Sequence, residues 1–157
     1  MNQYADDAGR ILVLTVGLPH SGKSSWAKTR GYPIVCPDAI RLALHGEVYI
    51  PTAEPMVWTM AKYMVKSLFF SGHDIVILDA TSTTRARRDE WKSDMWKRRY
   101  KVMETSREEC LRRSAYRPDL APVIERMSAR FEPVSLEEWD DLYVHEIPVE
   151  VQKLEDK

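Results

Sequence analysis

The sequence predicts a three-layer α/β fold, with a central parallel sheet of about five strands, helices on both faces and a helical lid. Three observations predict it. Short apolar runs alternate with amphipathic stretches, the pattern of β–α units. The run Ile75-Val76-Ile77-Leu78 is apolar throughout, as a strand covered on both faces must be. The stretch Gly17-Leu18-Pro19-His20-Ser21-Gly22-Lys23-Ser24 lies between an apolar run and a helical segment, and strand, glycine loop, helix is the arrangement that binds polyphosphate.

Ile11 to Val16 is the first strand, and a helix continues from Ser24 through Lys28. Residues 34–36 make a short second strand. Residues 53–71 make a long helix, with Met56, Val57, Met60, Met64 and Leu68 as its apolar stripe and Gly72 beyond its end. Ile75 to Leu78 is the third strand. A helix over 85–98 and a fourth strand over 101–104 follow. Ser106-Arg107-Glu108-Glu109 opens a helix reaching about residue 116 as a capping box. Another helix covers 122–131. Ser135-Leu136-Glu137-Glu138 is a second capping-box candidate, and 142–147 a last strand. No repeat or linker interrupts the 157 residues, so a single domain is expected, with residues 1–9 and 150–157 as candidate disordered tails.

The net charge of −1 hides an uneven distribution. Residues 81–117 carry twelve basic and six acidic side chains, a net of +6; residues 118–157 carry four and eleven, a net of −7. A basic middle suggests an anionic partner, although Asp89, Glu90 and Asp94 also fit a solvated face of mixed charge. The two cysteines, Cys36 and Cys110, lack metal-ligand spacing and read as reduced thiols. The first ten residues lack the apolar core of a signal peptide, and no apolar run approaches the ~20 residues that span a bilayer. A cytoplasmic setting without membrane contact is expected.

In an open parallel sheet, ligands collect beyond the carboxyl ends of the strands. The glycine loop follows the first strand, and its Gly17, Pro19, His20, Ser21, Gly22 and Ser25 belong to the phosphate cradle. Lys23 would reach the β- and γ-phosphates, and the Ser24 hydroxyl would ligate Mg²⁺. After the second strand comes Pro37-Asp38-Ala39-Ile40-Arg41. Asp38 fits a general base for an attacking hydroxyl and equally a helix N-cap. Arg41, three residues on, suits an anionic group of an acceptor or an ion pair with Asp38. After the third strand comes Asp79-Ala80-Thr81-Ser82. Asp79 is the second metal candidate, and Thr81, with Arg85 and Arg88 of the basic segment, a substrate candidate. Arg112, Arg113, Arg117, Arg126 and Arg130 flank a proline turn, so two helices would carry arginines over the transferring phosphoryl group. Trp26, Trp91 and Trp139 read as core; Trp58 and Trp96 fit either core or base stacking. His20 lies in the loop, within reach of phosphate or acceptor, and His73 in a surface turn.

These blocks resemble the small P-loop kinases of the phage polynucleotide kinase and zeta-toxin type, the AAA_33 group. The resemblance spans roughly residues 11 to 148 and continues through Arg113-Ser114-Ala115-Tyr116-Arg117 and Val123-Ile124-Glu125-Arg126-Met127. It implies that Asp38 is the general base and Arg41 an acceptor-phosphate ligand. It also implies that Arg126 is a catalytic lid arginine on the phosphates, with Arg113 and Arg117 the remaining lid contacts. The sequence departs from the pattern at His20, where the family usually has Gly, and at Ser82, where Asn is common. Within these 157 residues no phosphatase segment is expected.

The expected activity is ATP- and Mg²⁺-dependent phosphorylation of a hydroxyl on nucleic acid, DNA ahead of RNA. The acceptor would be a 5′-hydroxyl end or a hydroxymethylated pyrimidine in phage DNA, which would place a phage-encoded protein in the host cytoplasm. The alternatives are a small-molecule kinase for a nucleoside, sugar or antibiotic, and a nucleotide-binding module without catalysis. No base-reading motif separates ATP from GTP.

Overall fold

Six consecutive buried residues, Ile11–Val16, form strand β1 inside a four-stranded sheet. The computed structural model describes residues 9–46 and 49–140. Within them the sheet order is β2 (Ile34–Val35), β3 (Ile75–Leu78), β1, β4 (Lys97–Val102), and every pairing is parallel. Ile11 faces Ile75 on one side and Lys97 on the other. The count among the described residues is four, not the expected five; the strand expected over 142–147 lies outside them.

Side chains alternate along a strand, so β1 and β3 feed two cores. Leu12, Leu14, Val16, Val76 and Leu78 pack with Val57, Ala61, Val65 and Phe69 of helix α3, among others. Ile11, Val13, Ile75 and Ile77 pack with Trp26 and Ala27 of helix α1. Here α1 is Lys23–Lys28, α2 Pro37–His45 and α3 Glu54–Phe70. Each fully buried aliphatic side chain contributes roughly 1.5–3 kcal/mol, which makes these two interfaces the main support of the three layers. A third cluster, Leu18, Cys110 and Ile124, fastens helices α5 (Arg107–Arg113) and α6 (Ala121–Ala129) to the glycine loop. Both cysteines are free thiols, as expected.

Three expectations change. The buried stripe of α3 is Val57, Ala61, Val65 and Phe69, whereas Met56 and Met64 face outward. The helix expected over 85–98 shrinks to α4, Arg85–Asp89, capped by Thr84. The fourth strand begins at Lys97 instead of residue 101. Its charged start is tolerated because Arg98 bonds Asp140 through Nε and Nη2 and also reaches Asp89. Ser135 and Glu138 do form a capping box, on a single turn of 3₁₀ helix.

Arg88, expected to hold substrate, is fully buried instead. Its Nε donates to Glu138 at 2.7 Å and its Nη1 to the Ser82 carbonyl at 2.9 Å. It therefore braces the β3–α4 loop from inside, where no substrate reaches. Glu138→Ala should destabilise the protein by about 3–5 kcal/mol by stranding that guanidinium, read as the urea midpoint. Replacing Arg88 and Glu138 together by Met and Leu should recover most of the loss; no recovery would mean that the pair does more than satisfy itself.

Candidate active site at the strand ends

The glycine loop folds as its residues demand. Gly17 runs so close to its neighbours that an added Cβ would lie 2.5 Å from the Ser21 Oγ and 3.0 Å from the Met103 Cβ. Its N–H bonds the Thr81 carbonyl at 2.9 Å, tying the loop to the end of β3. Gly22 caps α1 with φ 98°. Among the described residues, His20 and Ser82 are the two non-glycine residues with positive φ, 64° and 46°. Gly and Asn are the residues that accept left-handed backbone most readily. His20 and Ser82 therefore carry strain, of order 1–3 kcal/mol each. The His20 ring packs edge-on against Tyr116, 5.7 Å away.

Lys23 is buried, and its ammonium donates to the Leu18 carbonyl at 2.7 Å and the Ser21 hydroxyl at 3.4 Å. Burial pushes its pKa down, while the charges of Asp79 and, more weakly, Asp38 pull it back up. Ser24 Oγ donates to Asp79 Oδ2 at 2.6 Å. The two residues singled out for a metal thus meet across 55 positions of sequence. Thr105 Oγ1 donates to the Ser21 carbonyl at 2.8 Å, a support with no local signal in the sequence.

Asp38 does not cap its helix: Cys36 is the N-cap and Pro37 the first residue of α2. The Asp38 side chain is 89% exposed. Arg41 Nη1 donates to it at 2.6 Å. The other edge of Arg41 is bidentate to Glu54, with Nε at 2.9 Å from Oε2 and Nη2 at 2.5 Å from Oε1. Burial lowers the Arg41 pKa, but the hydrogen bonds and charge of Glu54, then Asp38, carry it above its usual value. Glu54, which holds Arg41, is a contact that sequence reasoning missed. At the first turn of α3 it reads as a complement to the helix dipole, and nothing local links it to Arg41.

The lid arginines divide. Arg113 reaches the loop: Nη1 donates to the His20 carbonyl at 3.3 Å, and Nε holds Glu109 at 3.0 Å. Hydrogen bonds from Arg112 and Arg113 pull the Glu109 carboxyl down to about 2, so it stays an anion that steadies Arg113. Arg117 pairs with Asp119 inside the proline turn. Arg85 pairs with Glu137 on the surface. Arg126 and Arg130 are exposed, form no ion pair with a described residue, and line a cleft of about 400 Å³ with Thr81 to Thr84, Tyr49 and Trp58. Pro19 lies in the loop and Ser25 in the first turn of α1. Trp26, Trp91 and Trp96 are buried, and Trp139 is half-buried against the larger core. His73 is exposed, just past the turn at 71–72.

The carboxyl ends of β1, β2 and β3 therefore bring together an anion cradle, a hydroxyl–carboxylate pair and a carboxylate–guanidinium pair. A family model described as an AAA domain, AAA_33, matches residues 12–134. Among solved structures, the chain is similar to one in the Pnkp1/Rnl/Hen1 RNA repair complex, 22% identical with a TM-score of 0.62 over 78% of this chain and 46% of that one. A chain of the Pnkp1/Rnl/Hen1 complex is 28% identical with a TM-score of 0.58, over 66% and 38%. A gluconokinase from Sinorhizobium meliloti 1021 is 18% identical with a TM-score of 0.54, over 80% and 75%. The chain spans less than half the length of the two repair-complex chains. No curated protein matches it. No helix among the described residues is long and apolar enough to cross a membrane.

Proposed function

We propose that this chain, which belongs to the AAA_33 family of P-loop kinase domains, transfers the γ-phosphate of ATP to a hydroxyl group of a polynucleotide. The observation that carries the reading is the Asp38–Arg41–Glu54 chain of contacts. It presents an exposed carboxylate beside a guanidinium that a second carboxylate holds in place. The exposed Arg126 and Arg130, which form no ion pair with a described residue, suit a polyanionic acceptor. The similarity to a chain of an RNA repair complex points the same way.

In the proposed reaction the acceptor oxygen attacks the γ-phosphorus as the bond to the β–γ bridging oxygen breaks. The acceptor proton passes to Asp38, and ADP leaves. Arg41 steadies Asp38 and attracts the acceptor phosphate. Lys23 and Arg113 would draw charge from the phosphoryl group, with Arg126 brought in from the cleft. Among the described residues no cluster of three metal-ligating side chains exists, and the adjoining Ser24 hydroxyl and Asp79 carboxylate are hard oxygen donors. That set fits Mg²⁺ shared with phosphate oxygens, an ion that would neutralise charge on the β- and γ-phosphates.

The test is transfer of labelled γ-phosphate to matched DNA and RNA oligonucleotides. One has a free 5′-hydroxyl; another, in DNA, has a blocked 5′ end and one internal hydroxymethylated pyrimidine. Label on the first makes the protein an end kinase, and label on the second a base-modifying kinase. No label on any strand sinks the polynucleotide reading and leaves the small-molecule acceptor, for which the fold shared with a gluconokinase speaks.

A further inference from the structure

Two consecutive carbonyls of the glycine loop are held by side chains at the two ends of α5. Arg113, the last residue of that helix, donates to the His20 carbonyl at 3.3 Å. Thr105, one residue before the Ser106 N-cap, donates through Oγ1 to the Ser21 carbonyl at 2.8 Å. The His20–Ser21 peptide has a second tie, because the Ser21 N–H bonds the Leu18 carbonyl at 3.1 Å. The Ser21–Gly22 peptide has no such tie: no backbone carbonyl among the described residues accepts the Gly22 N–H. Its orientation therefore depends on Thr105.

That peptide is also able to turn over. A planar trans peptide points its C=O and the following N–H in opposite directions. Drawing the Ser21 carbonyl towards the end of β4 thus aims the Gly22 N–H the other way, across the loop. A half-turn of the peptide would reverse both. Gly22 stands at φ 98°. The half-turn would take it to about −82°, and a glycine accepts either sign of φ without steric cost. Nothing local to Gly22 chooses between the two states, yet they are opposite in function. One offers phosphate a backbone donor, as an anion-binding nest requires. The other offers it the negative end of a carbonyl dipole.

We propose that Thr105 is a positioning residue for the nucleotide, and that its hydroxyl selects the orientation in which the Gly22 N–H serves the phosphate cradle. The proposal rests on the reading of the loop as a nucleotide site. It goes further by placing the polarity of the loop under the control of a residue outside it, at the end of β4. Thr105 touches no substrate; it acts through the Ser21–Gly22 peptide alone.

The experiment measures the Kd of ADP with Mg²⁺ and follows the Gly22 amide proton by NMR in ¹⁵N-labelled protein. Thr105→Val keeps the branched shape of the side chain and removes its donor; Thr105→Ser keeps the donor. In the parent, saturating ADP should move the Gly22 amide proton downfield, as a hydrogen bond to phosphate does. Thr105→Val should raise the Kd about 10- to 100-fold, the usual weight of one hydrogen bond to a charged group, and remove most of that shift at saturation. Thr105→Ser should restore both. A merely structural brace would lower the Tm in Thr105→Val and leave the Kd and the Gly22 shift where they are, and that result overturns the proposal. So does a Kd raised equally by Thr105→Ser, since the hydroxyl would then not be the cause. An unbound parent overturns the nucleotide reading of the loop and the proposal with it. The expected split between Val and Ser, without transfer to any strand, supports the proposal and overturns only the kinase chemistry.

Discussion

Asp38→Asn is expected to lower kcat for phosphoryl transfer by about 10²–10⁴-fold, the usual contribution of a positioned general base, with the KM for ATP unchanged. Asn keeps the size of Asp but cannot take up the acceptor proton. The site gives this substitution a clean readout. Asp38 is exposed and caps nothing, so its loss strands no buried partner. Arg41 keeps its bidentate bonds to Glu54, so the local frame survives. Single-turnover transfer with bound ATP separates the proton step from binding. Full turnover by Asp38→Asn would remove Asp38 as the base and turn the Asp38–Arg41 pair into a helix-surface salt bridge, which is worth under about 1 kcal/mol.

The parts of this site that were legible in the sequence are those whose cause is local. The glycine loop announces itself because Gly17 and Gly22 meet demands set within a few residues, one of close approach and one of positive φ. Asp38 and Asp79 follow short apolar runs, and a parallel sheet delivers whatever follows its strands to one edge. What stayed hidden depends on partners far along the chain. Arg88 reads as one more basic residue of a charged segment, yet Glu138, fifty positions away, draws it into the core. The charged start of β4 imitates a solvated helix because the carboxylate that satisfies Arg98 is Asp140. The phase of α3 was misread for a different reason. Glu54–Phe70 is apolar nearly all round, so hydrophobicity alone cannot choose between the Met56 face and the Val57 face. Packing chose the slimmer side chains Val57, Ala61 and Val65, which let the helix approach the sheet.

Lys23→Met is expected to abolish most transfer, lowering kcat/KM by about 10²–10³-fold, as loss of one preorganised charge at the reacting group does, and yet to leave the free protein as stable as the parent or more so. The two effects share one cause. The ammonium is buried and its pKa is lowered by that burial, so at neutral pH the fold carries a charge that the unfolded chain would hydrate. Removing it does not orphan the Leu18 carbonyl, which still accepts the Ser21 N–H at 3.1 Å. The sign of the pH dependence follows. A lysine with a folded pKa below its unfolded one binds fewer protons in the native state. Its penalty is therefore full below the folded pKa and fades as pH rises from there towards 10.5. The Tm advantage of Lys23→Met should be largest near neutrality and shrink at alkaline pH. A nucleotide reverses the balance, because phosphate supplies the counter-charge that burial withholds. A slowly hydrolysed ATP analogue should raise the Tm of the parent by mass action and move that of Lys23→Met far less. A variant less stable than the parent without nucleotide would show that the bonds to Leu18 and Ser21 outweigh the desolvation. Lys23 would then be as much a brace of the loop as a ligand for phosphate.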